Sequence, residues 1–218
     1  MRVNVEQSPV ALNGGGQAGQ PRAILQVLPQ LKDGGVEEST LAMARYLKRP
    51  HEGLDFRAHV AAARGPRELD LKKTGAVFHP LPLASKNPLV GLWMIWRLVE
   101  LIQQERIALV HARSRACAWP ARAAAWWCGI PFVTTFHGIY STKGGWLKRF
   151  YNSVMVAGPV VIANSKFTAA HLAKTYHVPP HKIVIAPRGV NVTHLNPATI
   201  KPEQVEQIRR ELKIGRGV

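Results

Sequence analysis

The side chains best suited to chemistry stand in three polar stretches, each following an apolar run. Gly34 and Gly35 follow the run AILQVLP, with Glu37 just beyond them. His111, Arg113, Ser114 and Arg115 close the run IALVH, and His137, Gly138, Tyr140, Ser141 and Thr142 follow FVTTF. Glycines between a strand and a helix let backbone approach a ligand, and the helix start offers free N–H groups at a positive dipole end. A plain tight turn is the other reading of the same pair. His137 suits a hydrogen bond to a reacting group or a cap on a strand end, and spacing alone leaves both open. What is missing also bears on the chemistry: residues 106–202 hold no Asp or Glu, against twelve Lys and Arg and six His. No carboxylate there can act as base, nucleophile or metal ligand, so a two-carboxylate mechanism has no home in that half. The sequence shows no metal-spaced Cys/His cluster.

These residues need a scaffold that brings strand ends together. Ala23–Pro29, Phe56–Ala62, Ala76–Leu81, Ile107–His111, Phe132–Phe136, Val160–Ala163 and Lys182–Ala186 read as short buried strands. Helices are expected between them. Val36–Leu47 places Val36, Met43 and Leu47 on one face, and Arg64–Lys73 is a charged loop or short helix. Asn87–Gln104 carries a stripe of Leu92, Ile95, Trp96, Val99 and Ile102. We read that stripe as the core side of a sheet-covering helix, a Trp-rich membrane-contacting face being the other reading. Ala116–Cys128 stops at Gly129 with Pro131 beyond, Gly144–Val156 carries Lys148 and Arg149, and Asn164 and Ser165 cap Lys166–Tyr176. Strand and helix in alternation predict an α/β, Rossmann-like, doubly wound and mostly parallel sheet, whose strand carboxyl ends hold the ligand. Residues 1–21 read as a loose leader, 22–197 as the domain, and 198–218 as a linker and helix opened by Pro202, with Val205, Ile208 and Leu212 in register.

At 46% hydrophobic residues the chain can build a core, and its formal net charge of +16 favours an anionic partner. No segment reaches the roughly 20 apolar residues a membrane span needs, and residues 1–21 contain no secretory apolar core. Cys117 and Cys128 lie eleven apart on one expected helix. That is roughly 16 Å along the axis, too far for a disulfide, which fits reduced thiols in the cytoplasm.

Three ordered stretches, VLPQLKDGGVEESTLAMARYL (27–47), VHARSRACAWPARAAAWWCGIPFVTTFHGIY (110–140) and VIANSKFTAAHLAKTYHVPPHKIVIAPRGVNVTHLNP (161–197), resemble the N-terminal domain of retaining, family-4 glycosyltransferases of the GT-B fold. HARSR with TTFHG is similar to bacterial members that build lipopolysaccharide and related surface glycans. The resemblance implies sugar transfer with retention from a nucleotide-sugar donor to a glycan or lipid-linked acceptor, with no cofactor and no metal. It implies that Gly34 and Gly35 approach the donor diphosphate and that His137 lies against the transferred sugar as the catalytic residue. It places Glu37 and Ser165 near the acceptor. His111, Arg113, Arg115 and Arg188 are assigned to the acceptor as well, a solvated basic loop being the other reading for Arg113 and Arg115. Arg113 stands where His is frequent and Arg188 where Asn is more usual, which bears on acceptor choice. The family's second domain, with its donor site and E-x7-E motif, would begin where this chain ends, so this half alone is expected to be inactive. Cytoplasmic placement is expected, with Lys148 and Arg149 on the surface and possible peripheral contact with an anionic inner membrane. A non-catalytic glycan- or partner-binding domain is the alternative. A nucleic-acid binder suits the sequence pI near 10.5 but no recognition module is spelled out, and no nucleic acid is expected.

Overall fold

In the computed structural model, residues 21–49, 55–85, 87–140, 145–189, 196 and 200–214 are described. Seven strands, β1 (Arg22–Gln30), β2 (Phe56–Ala63), β3 (Val77–Pro80), β4 (Ile107–Ala112), β5 (Phe132–Phe136), β6 (Val160–Ala163) and β7 (Ile183–Ile185), form one sheet in the order β3-β2-β1-β4-β5-β6-β7. Every neighbouring pair is parallel. The helices are α1 (Gly35–Leu47), α2 (Glu68–Lys73), α3 (Pro88–Gln104), α4 (Arg115–Trp127), α5 (Gly145–Ser153), α6 (Lys166–Tyr176) and α7 (Pro202–Glu211). The chain divides between Ala186 and Pro187, so Arg188 and α7 belong to a second, smaller unit. In that unit Pro202 opens α7, and the Lys201 amide donates to Gln204 Oε1 at 3.2 Å.

A parallel sheet must bury both faces, and strand alternation sends neighbouring residues to opposite ones. Ala23, Leu25 and Val27 of β1 join the larger core with Met94, Leu98 and Ile102 of α3 and Cys117, Ala121 and Ala124 of α4. Leu28 joins the smaller core with Leu31, Leu41, Ala44, Val60 and Leu71, where α1 and α2 cover the sheet. Each such fully buried Leu or Val contributes on the order of 1.5–3 kcal/mol relative to exposure.

Two helix faces differ from the spacing-based expectation. In α1 the buried residues are Thr40, Leu41, Ala44 and Leu47, while Val36 and Met43 are half-buried. In α3 the buried set is Met94, Leu98, Val99, Leu101 and Ile102, whereas Leu92 and Trp96 face outward. A helix apolar on two faces offers periodicity two solutions, and only packing chooses between them. The helix ends follow the local rules. Asn87 caps α3 by accepting the Leu89 amide at 2.9 Å, Gly129 leaves α4 at φ 64°, and His177 ends α6 in the left-handed region at φ 53°.

Gly65 lies against the backbone of the β1–α1 turn. A Cβ built there would meet the Leu31 carbonyl oxygen at 1.9 Å, a main-chain contact that no rotamer relieves. Gly65→Ala is therefore expected to destabilise the fold by about 1–3 kcal/mol, read as a lower urea midpoint with unchanged m-value.

Candidate active site

The strand alternation that divides the core also sorts the polar residues. On β1, β4 and β5, the apolar positions Val27, Val110, Ala112, Phe132 and Phe136 enter the larger core, so Gln26, His111, Arg113, Thr135 and His137 point toward the other face. Arg113, just past β4 and nearly fully buried, gathers that face. Its guanidinium donates to Gln26 Oε1 and, at 2.8 Å, to Ser39 Oγ on α1, and its amide donates to the Val27 carbonyl at 2.9 Å. Gln26 in turn donates to the Thr40 carbonyl at 3.3 Å. The start of α1 is thus tied to the end of β4 through charge-assisted bonds.

His111 lies one position back in the same row. It is buried, and its Nε2 is 2.7 Å from Thr135 Oγ1 of β5. Burial first, then the positive charges of Arg113 and His137, holds its pKa well below the ordinary histidine value, so it is neutral. His137 follows β5 half-buried, and its carbonyl accepts from Asn164 Nδ2 at 3.0 Å. Asn164 Oδ1 accepts from Thr168 Oγ1 at 2.8 Å, and Ser165 caps α6 by accepting the Thr168 amide at 3.1 Å. Along the carboxyl edge, therefore, β1, β4, β5 and β6 bring up the start of α1, Arg113, His111, His137 and Asn164–Ser165.

The glycine pair sits where expected, in an exposed strand-to-helix turn. Gly34 is the N-cap of α1 and Gly35 its first residue. Gly34 has an extended backbone at φ 174°, so conformation does not demand glycine, and its one close neighbour is the movable end of the Glu37 side chain. A Cβ there would lie 2.6 Å from Glu37 Oε2, because this carboxylate folds back over the helix start. Glu37 thereby places a negative charge at the positive end of the dipole. Glu38, the next residue, is held by Arg67 at 2.8 Å and Arg45 at 3.4 Å, and these partners lower its pKa.

Arg115 turns away from this row. It donates to Asn152 Oδ1 at 2.8 Å and lies over the Tyr140 ring, 4.1 Å from its centroid, with Tyr151 at 5.8 Å. Burial, its largest cause, pushes the Tyr140 pKa up to about 12. Ser141 and Thr142 lie outside the described residues, and Arg188 lies in the second unit. Cys117 and Cys128 are free thiols, and burial pushes the Cys117 thiol up to about 12, so it is not a thiolate nucleophile.

Several members of this network had little or no signal in the sequence. Gln26 is a polar residue inside the apolar run AILQVLP, which in a buried strand marks a polar partner. Ser39 and Thr135 give no local sign at all. His59 on β2, His79 on β3 and Glu105 behind α3 also converge: each offers one metal-ligating atom, all within 4.8 Å of one another. His59 Nδ1 is 3.1 Å from His79 Nε2, a distance that one imidazole hydrogen bond explains. Burial, followed by the charge of His79, pulls His59 down to about 4. The group lies partway along β2 and β3, off the row just described.

Solved structures share this fold over most of the chain. A glycosyltransferase from Rickettsia africae ESF-5 aligns at 35% identity and a TM-score of 0.72, over 91% of this chain and 51% of that one. Anabaena Alr3699/HepE, solved in complex with UDP-glucose, aligns at 18% identity and 0.68, over 88% and 50%. MurG of Acinetobacter baumannii aligns at 16% identity and 0.52, over 78% and 46%. The chain spans about half the length of these structures. Comparison with curated proteins gave no match. The model of Glycosyltransferase Family 4 matches residues 33–194. The sheet is thus a Rossmann-like half of the GT-B fold, fitting an N-terminal domain. The chain belongs to Glycosyltransferase Family 4.

Two outcomes follow from the geometry. Arg113→Met leaves Gln26 Oε1 buried without its donor, an expected loss of about 1–3 kcal/mol, and faster amide exchange over residues 35–40. For His59, the unfolded chain takes up a proton near the ordinary histidine value, 6.5, while the folded one resists until about 4. Stability is therefore expected to fall as pH drops from about 6.5 toward 4, where the unfolded state binds more protons. His59→Phe should flatten part of that slope in urea titrations.

Proposed function

We propose that the whole protein transfers a sugar, most simply a hexose, from a nucleotide-diphosphate donor to an acceptor hydroxyl with retention of configuration. One observation carries this reading: in a family-4 chain, the exposed glycine turn at the start of α1 and His137 lie on the same carboxyl edge of the sheet. Departure of a nucleoside diphosphate builds negative charge, and the main catalytic demand is a fixed positive field that receives it. The free N–H groups of Gly35 and its neighbours supply one part of that field. The basic half, with no carboxylate between Glu105 and Glu203, supplies another. Because Glu37 now covers the helix start, an incoming diphosphate displaces its carboxylate, which then turns toward the acceptor hydroxyl. His137 hydrogen-bonds the transferred sugar and steadies the oxocarbenium-like transition state. No cofactor and no metal is assigned.

His111 and Arg113 act here as positioning residues rather than as contacts. The first is buried against Thr135, and the second joins β4 to α1. Ser165 stands on the acceptor side, while Arg115, turned onto Asn152 and Tyr140, is assigned to the acceptor, like Arg188, on its sequence pattern alone. The acceptor is a glycan or lipid-linked glycan, as in lipopolysaccharide or surface-polysaccharide assembly. The protein works in the cytoplasm, peripherally at the inner membrane face, and does not act on nucleic acid. Donor selection belongs to the other half of a two-domain enzyme, so the 218-residue chain alone is inactive.

The test is turnover of a nucleotide-sugar panel by this chain beside a version extended past Val218, with core-oligosaccharide and lipid-linked acceptors. Turnover only by the extended version, lowered at least about a hundredfold by His137→Ala, is expected. Equal turnover by the short chain contradicts the two-half reading. No turnover by either, with retained glycan binding, indicates a non-catalytic binding domain.

A further inference from the structure

All six tryptophans of the chain, Trp93, Trp96, Trp119, Trp126, Trp127 and Trp146, stand on α3, α4 or α5. Five of them are exposed, from 50% at Trp93 to 80% at Trp126. The three helices form a continuous series. Trp96 of α3 meets Trp127 of α4 edge-on at 5.5 Å, and Trp119 of α4 stacks at a tilt on Phe150 of α5 at 5.2 Å while its Nε1 donates to the Tyr151 carbonyl at 3.2 Å. Leu89, Leu92, Trp93 and Trp96 repeat at helical spacing along the outer side of α3, opposite the side that enters the core. Trp146, Leu147 and Phe150 do the same on α5.

From this arrangement we infer that α3, α4 and α5 form a docking surface for an anionic lipid bilayer. The inference rests on the peripheral placement proposed above and names the surface responsible. Tryptophan is the side chain best suited to a membrane interface, since its ring is largely apolar and its N–H remains wet. Exposed apolar area of this extent marks a contact surface. The charges choose the occupant. Glu100 is the only carboxylate on the three helices, and it is neutralised by Arg97, which also lies 5.9 Å over the Trp93 ring. Arg122, Lys148 and Arg149 add cations. Between α5 and α6 lies an open groove of about 520 Å³, lined by Gly145, Trp146, Arg149, Lys174, Thr175 and His177. Its cations are complementary to lipid phosphates, and no acidic side chain lines it. Among the described residues no helix is long and apolar enough to cross a membrane, so the helices lie on the surface.

The test is flotation of the 218-residue chain with vesicles of about seven parts phosphatidylcholine to three of phosphatidylglycerol, some carrying brominated acyl chains that quench tryptophan on contact. Wild type is expected to float and be quenched, and to float less at high salt. The variant Trp93→Ala/Trp126→Ala/Trp146→Ala, with an unchanged urea midpoint, should bind at least about tenfold more weakly. Lys148→Glu/Arg149→Glu should lose binding to anionic vesicles while its tryptophans remain. Failure of wild type to float, or undiminished binding by the triple variant, overturns the inference. So does a lipid-free dimer that the triple variant dissociates, because the surface would then belong to a second copy of the chain. Turnover on a soluble acceptor by the extended version is unaffected by any of these results, so a failed surface and a failed transferase reading are separable.

Discussion

Every strand in the sheet runs the same way, and the placement of the polar residues depends on that constraint. In a parallel sheet all carboxyl ends emerge on one edge, and each crossover helix then begins there, with its amide groups turned toward the same space. Residues far apart in the chain, such as Gly34, His111, His137 and Ser165, thereby reach one edge. The alternation within each strand refines this. Val110 and Ala112 go into the larger core, so His111 and Arg113 go to the other face. Reversing a single central strand would send its polar end to the opposite edge and its helix start with it.

Holding that edge in shape falls to a small buried polar network. Arg113 reaches across from β4 to β1 through Gln26 and to α1 through Ser39. His111 links β4 to β5 through Thr135, and Asn164 links β6 to the His137 carbonyl. Buried polar groups of this kind are costly unless satisfied, and once satisfied they specify one arrangement. Two of the most basic-looking residues in the sequence, Arg113 and Arg115, are thereby engaged in intramolecular contacts, the first with Gln26 and Ser39 and the second with Asn152 and Tyr140.

The sheet was largely legible in the sequence because parallel strands, buried on both faces, appear as short apolar runs. FVTTF and VVIA coincide with β5 and β6 residue for residue. Gly129, Asn87 and Ser165 mark helix ends by chemistry that acts locally. The faces of α1 and α3 were harder to read. Leu92 and Trp96 share a helical period with Val99 and Ile102, yet only the latter pair is buried. Spacing records that a side is apolar and leaves open whether the sheet or something outside the chain covers it. The partners of the polar residues were hidden for a different reason. Arg113 and Gln26 are 87 residues apart, and so brought together only by strand pairing. The His59–His79–Glu105 group leaves no sequence signal either, since its members come from two strands and a helix end with no local spacing in common.

Whether the carboxyl edge, and the helix start behind Gly34 in particular, receives a diphosphate decides the proposed function. The most direct measurement is a titration of the isotope-labelled 218-residue chain with millimolar uridine diphosphate, followed by amide chemical shifts. A diphosphate seated there is expected to give the largest shifts at residues 34–38, with smaller ones at His137, Gly138 and Ser165, all lost in Gly34→Val. Shifts confined to α3, α4 and α5, or none at the start of α1, would contradict it.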